Sequence, residues 1–245
     1  MSAIYSEKYK IKFYETDYSK KIMLHSIINY MQEVSSNHAN LLGCGYDNLE
    51  EKGQFWVVSK INLEILKYPK WNDEIVFETW PQGLDKMFFI RGFRMCDLEG
   101  NTLCYIEAAY LLVDRKSMFP HKPTEADLEY ETIKDRFKPY KRVGKFRLND
   151  ITGENIDERK IRYNDIDLNM HVNNSKYIEW IEDCFKLEIF NEKRIKNLQI
   201  NFIKETKEGQ KVVFYKYNDS ENVFFIEGIE KDSETKLFQS KIVFE

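Results

Sequence analysis

The stretch NDIDLNMHVNNSKYIEW, residues 164–180, sets Asp165, Asp167, Asn169 and His171 two residues apart. Carboxylates, a carboxamide and an imidazole are the groups that hold a water, move a proton and hydrogen-bond a carbonyl. Between them fall Ile166, Leu168, Met170 and Val172. In extended backbone alternate side chains share a face, so the spacing predicts a polar strip on one side and four apolar side chains turned into the core. Asn173, Asn174 or Ser175 then supplies the N-cap of a following helix, which puts His171 beside free backbone N–H groups. Asp, Asn and Ser also build plain turns, so the strip alone is compatible with an ordinary loop.

A reactive strip needs elements to position it. The 245-residue chain is 15% aromatic, with 17 Phe and 15 Tyr, which favours sheet; five Pro and ten Gly argue against long disordered stretches. Residues 23–42 carry a helical period, with Ile27, Met31, Val34, His38 and Leu41 on one face and Gly43 as a C-terminal stop. Residues 61–65 and 73–80 read as strands around a turn at 69–72, and residues 87–97 and 102–114 as a hairpin. Residues 175–190 read as one helix, with Tyr177, Ile181, Cys184 and Phe185 on one face, and four strands follow it.

The second half repeats the first. Residues 9–33 overlay 159–183 at an offset of 150, and residues 61–77 overlay 198–214 at an offset of 137. Two blocks in the same order point to a duplicated unit of the strand–helix–strands kind. The copies differ where chemistry could sit: Asp17, Ser19 and Lys21 stand where the second copy has Asp167, Asn169 and His171. A pattern kept in both copies with different polar groups is expected where only one copy holds a reactive site. The division expected is an N-terminal domain over 1–127, a charged linker over 128–157, and a C-terminal domain over 158–245 carrying the reactive residues.

The run RYNDIDLNMHVNNSKYIEW resembles the second-domain signature of the acyl-ACP thioesterases, close to D-x-D-x-N-x-H-V-N-N-x-x-Y-x-x-W, and WVVSKINLEILKYPKWNDEIVFETW (56–80) is similar to that family's first-domain strand pair. The resemblance covers nearly the whole chain. It implies an α+β tandem (double) hot-dog fold, each half a long helix wrapped by a twisted antiparallel sheet. It implies hydrolysis of fatty acyl thioesters on acyl carrier protein, with a catalytic set at Asp167, Asn169, His171 and Glu205. Many plant members have a cysteine after the glutamate; here Thr206 stands there, which argues against a cysteine nucleophile. The first copy has Tyr68 opposite Glu205.

In that chemistry Glu205 is the general base on water, its pKa raised by partial burial, while Asn169 and His171 position water and thioester and Asp167 orients its neighbours. A backbone N–H at the start of the second-domain helix polarises the carbonyl. Met23, Ile27, Met31, Trp56 and Phe89 are candidates for the acyl pocket of the first domain, although core packing explains each equally well. An acyl-CoA thioesterase, a dehydratase and a non-catalytic acyl-binding protein are the alternatives on the same fold.

The remaining features bound the partners. Net charge is −4, which gives no sign of nucleic-acid binding. The strip KDRFKPYKRVGKFR (134–147) holds seven basic residues, and reads either as a solvated linker or as a docking strip for an acidic carrier protein. The cysteines at 44, 96, 104 and 184 lack CxxC spacing, and His25, His38 and His121 are scattered, so neither metal nor cofactor is expected. His25 and His121 read as surface or loop residues without companions, and His38 as a satisfied core residue. No stretch approaches the roughly 20 apolar residues of a membrane span. The expectation is a cytoplasmic protein; assembly into a homodimer stays open.

Overall fold

The computed structural model describes residues 3–134, 136 and 153–245. They fall into two compact units, Met1–Arg142 and Val143–Glu245. The first contains β1 (Tyr5–Lys10), α1 (Leu24–Leu41), α2 (Tyr46–Glu51), β2 (Gln54–Ile65), β3 (Glu74–Asp85), β4 (Phe88–Asp97) and β5 (Thr102–Asp114). The second contains β6 (Glu154–Lys160), α3 (Asn174–Asp183), α4 (Leu187–Glu192), β7 (Ile195–Phe202), β8 (Lys211–Ser220), β9 (Val223–Glu230) and β10 (Lys236–Phe244).

The strand order in the first unit is β1-β3-β4-β5-β2 and in the second β6-β8-β9-β10-β7, with antiparallel neighbours throughout. Strand for strand these are the same order, so the duplication read from the sequence is a duplication of topology. In the first unit α1 lies against β3. Leu24, Ile27, Ile28, Met31 and Val34 of the helix are buried, as are Phe77 and Phe93 of the sheet. Each fully buried aliphatic side chain of this kind is worth roughly 1.5–3 kcal/mol. Leu41, expected on the buried face, is instead exposed: the helix ends there, and Gly43 at φ +72° turns the chain away.

In the second unit Tyr177 of α3 meets Phe202 of β7 and Phe238 of β10, and Trp180 meets Phe214 of β8. The single helix expected over 175–190 is two. It breaks after Asp183, which lets Phe185 enter a cluster with Phe190, Phe224 and Phe244 at ring separations of 5.0–6.4 Å.

The stretch expected as a linker is not uniform. Residues 154–157 already belong to β6. Upstream, Leu128 packs against the Leu49, Phe89 and Leu112 cluster, and Ile133 N–H donates to Pro81 O at 2.8 Å. Arg136 donates to Glu78 at 3.2 Å and lies over the Trp80 ring. Of the basic strip, Lys138, Lys141, Arg142, Lys145 and Arg147 lie outside the described residues.

Candidate active site

The polar strip is not a strand. Residues 166–172 form a tight turned loop, closed by the antiparallel bridge Ile166–Val172. Asp167 N–H donates to His171 O at 2.9 Å, and Met170 N–H to Asp167 O at 3.0 Å. The Asp167 carboxylate accepts from Asn169 N–H at 2.8 Å and also from His171 N–H. Met170 sits at φ +63°, the left-handed region that side chains rarely adopt. This turn overrides the alternation expected from extended backbone. Leu168 and Met170, expected in the core, are 82% and 74% exposed, and only Val172 of the four apolar residues is buried.

The first copy builds the same loop. Asp17 accepts from Ser19 N–H at 2.8 Å and Lys21 N–H at 3.0 Å, and Lys20 takes φ +64°. Asp167 is therefore the brace of a loop design used twice. What the second copy adds is Asn169 and His171 on that brace.

A second segment meets the loop. Val172 N–H donates to Thr206 O at 3.1 Å, as Ile22 N–H does to Pro69 O at 3.0 Å in the first copy. The hydroxyl of Tyr177 donates to Thr206 Oγ1 at 2.7 Å, which ties the segment to α3. Thr206 is fully buried, so the position of the family cysteine serves packing here. These ties bring Glu205 to His171, whose Nε2 donates to Glu205 Oε2 at 2.8 Å. Residues 34 positions apart in the chain thus form one polar pair.

The hydrogen bond from His171 holds the Glu205 carboxyl below its ordinary range, against a smaller opposing effect of burial. The expectation that burial would raise this pKa is overturned: the imidazole beside the carboxylate outweighs desolvation. Burial does raise the pKa of Asp167, against the hydrogen bonds that favour its ionised form. Asn169 Oδ1 is buried and accepts no hydrogen bond from the described residues. A buried carbonyl oxygen left without a donor costs about 1–3 kcal/mol, so this atom is suited to a donor from outside the protein, such as a water.

Asn173 caps α3: its Oδ1 accepts from Ser175 N–H at 2.9 Å, and its carbonyl accepts from Lys176 N–H at 2.9 Å. Asn173 N–H itself donates to Asp165 O at 2.8 Å. Asp165, grouped with the strip by spacing, is a turn residue whose carboxylate accepts from Arg162 N–H at 2.8 Å. In the first turn of α3 this leaves the N–H of Asn174 without a partner among the described residues.

The other candidates settle as scaffold. His38 is buried in the core, with Nδ1 3.0 Å from an Arg91 guanidinium nitrogen. His121 has a companion after all, Asp127 at 3.1 Å; sequence spacing hid it because a 3-10 turn brings the two together. All four cysteines are free thiols. Among the described residues no group of three or more His, Cys, Asp or Glu could hold a metal, and no helix is long and apolar enough to cross a membrane.

Comparison with known proteins supplies the family. Residues 2–128 match the acyl-ACP thioesterase N-terminal domain and residues 148–244 the acyl-ACP thioesterase C-terminal domain. A chloroplastic palmitoyl-acyl carrier protein thioesterase of Arabidopsis thaliana is 26% identical over 214 residues, 82% of this chain and 52% of the plant protein. A chloroplastic oleoyl-acyl carrier protein thioesterase of the same plant is 25% identical over 228 residues, covering 85% and 62%. The chain thus spans about half the length of the first of these and under two thirds of the second. An acyl-ACP thioesterase structure from Bacteroides thetaiotaomicron superposes with a TM-score of 0.89 over 100% of both chains at 24% identity. The 12:0-ACP thioesterase structure from Umbellularia californica gives 0.84 over 100% and 98% at 19% identity. The fold is the tandem hot-dog expected, and with a family domain matched in each half, the chain belongs to the acyl-ACP thioesterase family.

Proposed function

We propose that the chain hydrolyses fatty acyl thioesters of acyl carrier protein to free fatty acid and carrier protein, ending chain elongation. The observation that carries this reading is the 2.8 Å contact between His171 Nε2 and Glu205 Oε2 beside the donor-seeking Asn169 Oδ1. The plant relatives, named for palmitoyl- and oleoyl-carrier thioesters, support the substrate class.

In this mechanism Asn169 Oδ1 accepts a hydrogen bond from the attacking water. The His171–Glu205 pair takes a proton from that water as its oxygen bonds to the thioester carbon. Glu205 stays ionised and balances the positive charge growing on the imidazole, a role that suits a lowered pKa better than that of sole base. The carbonyl oxygen becomes an oxyanion, for which the spare Asn174 N–H at the start of α3 is the available backbone donor. The carbon–sulfur bond then breaks, and the leaving sulfur recovers the proton from the pair. Asp167 acts through the loop and touches no substrate. The acyl chain is assigned to the first unit, where Trp56 and Phe89, ring centroids 4.9 Å apart, join Leu49 and Leu112 in a cluster of their own.

The test is release of free fatty acid from carrier thioesters of graded length, alongside the matching acyl-CoAs. Glu205→Ala is expected to lower kcat by roughly 10²–10⁴-fold with folding intact. A folded wild-type protein that releases no acid from any thioester overturns hydrolysis; a higher kcat/KM on acyl-CoA overturns the choice of carrier.

A further inference from the structure

The two copies share the frame of the site, and where they differ a second pair of residues stands out. In each copy one backbone bond joins the loop to the segment opposite it. It runs from Val172 N–H to Thr206 O at 3.1 Å in the second copy, and from Ile22 N–H to Pro69 O at 3.0 Å in the first. The second copy adds a side-chain bond at the same place: Tyr177 donates its hydroxyl proton to Thr206 Oγ1 at 2.7 Å, both residues being buried. At the offsets of 150 and 137 the first copy has Ile27 and Pro69, which are also buried. An aliphatic side chain and a proline thus fill these positions in a unit of the same strand order, so packing alone does not call for the two hydroxyls. They occur in the copy that holds His171 and Glu205; the other has Lys21 and Tyr68.

What the pair holds is the backbone next to Glu205. Residues 203–210 join β7 to β8 outside any helix or strand, so no ladder of hydrogen bonds sets the place of this carboxylate. The Glu205 side chain is about one-third exposed, so packing sets it only in part. Thr206, one peptide away, is held at its carbonyl by Val172 and at its side chain by Tyr177. Tyr177 is fixed in turn: its ring meets those of Trp180, Phe202 and Phe238 at separations of 5.4–5.5 Å. Burial pushes the Tyr177 phenol above its ordinary pKa, and the charges of Asp167 and Glu205 push it further. The phenol therefore keeps its proton and lies near both carboxylates.

We infer that Tyr177 and Thr206 are positioning residues of the hydrolytic site: their buried hydrogen bond sets Glu205 against His171. This rests on the hydrolytic reading above and deepens it by naming what fixes the carboxylate. Neither residue touches substrate. A rigid aromatic side chain on α3 reaches, through one hydrogen bond, the residue next to the charge that must face the imidazole. Displacing a reacting group by about 1 Å can cost roughly 10²-fold in rate, so a bond of this kind has leverage.

The experiment uses Tyr177→Phe combined with Thr206→Val. The double variant keeps ring and branch and removes both hydroxyls, so neither is left buried without a partner. The carboxyl carbon of Glu205 is followed by NMR against pH, assigned with Glu205→Gln, and kcat and KM are measured on an acyl-carrier thioester. The hydrogen bond from His171 holds Glu205 below 4.5, and in the double variant its pKa is expected to rise toward that value. His171 and Lys207, the charged groups that act on this carboxylate, are left in place. We expect kcat to fall roughly 10–100-fold with KM unchanged, and the acid limb of kcat/KM to move up with the carboxyl. Thr206→Ser keeps the hydroxyl and is expected to hold all three near wild type. Where the double variant does not fold, Tyr177→Phe alone carries the comparison. An unmoved Glu205 carboxyl overturns the proposal even if kcat falls, because lost packing alone gives that result. Unchanged kcat overturns it too, as does Thr206→Ser behaving like the double variant. The carboxyl titration needs no turnover, so the two readings separate. No acid from the folded wild type sinks hydrolysis; a Glu205 carboxyl indifferent to the pair sinks the positioning role alone.

Discussion

Glu205 is set by one neighbour. Its carboxylate, about one-third exposed, receives the His171 Nε2–H, and that hydrogen bond outweighs burial. A carboxylate whose folded pKa is depressed contributes stability that is present above its unfolded value, near 4.5, and lost as pH falls through the lower folded value. Glu205→Gln removes that contribution and keeps the shape. Denaturant titrations at pH 7 are expected to find the variant less stable than wild type, and the gap is expected to close as the pH drops well below 4.5. A gap independent of pH over that range would mean that the charge on Glu205 does not stabilise the fold. The same variant is expected to lose the acid limb of kcat/KM that Glu205 protonation produces, on whatever turnover remains.

At the scale of elements, the loop matters more than any residue it carries. Asp17 and Asp167 hold equivalent turns with the same backbone donors, two and four residues ahead. Ala at either position strands those N–H groups and is expected to lower stability by about 1–2 kcal/mol. Only Asp167→Ala is expected to lower kcat as well, because only that loop presents Asn169 and His171. Equal kcat losses would show that both loops serve the chemistry. The sequence carried part of this. The shared Asp at 17 and 167 was visible, and so was the divergence at 19, 21, 169 and 171. What spacing alone missed was that the shared Asp makes a turn. An Asp followed two residues later by Ser or Asn, with a polar Lys20 where a core residue should be, was the available signal, and it pointed away from an extended strip. The break after Asp183 was missed for a related reason: periodicity reports one face, and Phe185 is buried by leaving the helix.

Across the whole chain, the hydrolytic reading proposed above places the reactive site in the second unit and leaves the first free for another task. Its strand order matches that of the second unit, yet Lys21 and Tyr68 replace His171 and Glu205. The Leu49, Phe89 and Leu112 cluster, with Trp56, Leu84, Tyr110 and Leu128 packed against it, is the part of the first unit to which the proposed function assigns the acyl chain. Sequence alone could not separate Trp56 and Phe89 from Ile27 and Met31, since all four are apolar in periodic segments. Packing does separate them: Ile27 and Met31 are fully buried on α1, whereas Trp56 is half-buried and its Nε1–H donates to Cys44 O at 2.9 Å. Phe89→Ala is expected to destabilise the protein by about 3–5 kcal/mol if the space stays empty. With acyl substrate filling it, the preferred chain should lengthen, read as kcat/KM across carrier thioesters of graded length. Ile27→Ala, a cavity of the helix–sheet core, is the comparison: it should lower stability and leave the length profile where it was. A profile moved by Ile27→Ala and untouched by Phe89→Ala would transfer the acyl chain from the Trp56 cluster to the face of α1, and with it the assignment of what determines product length.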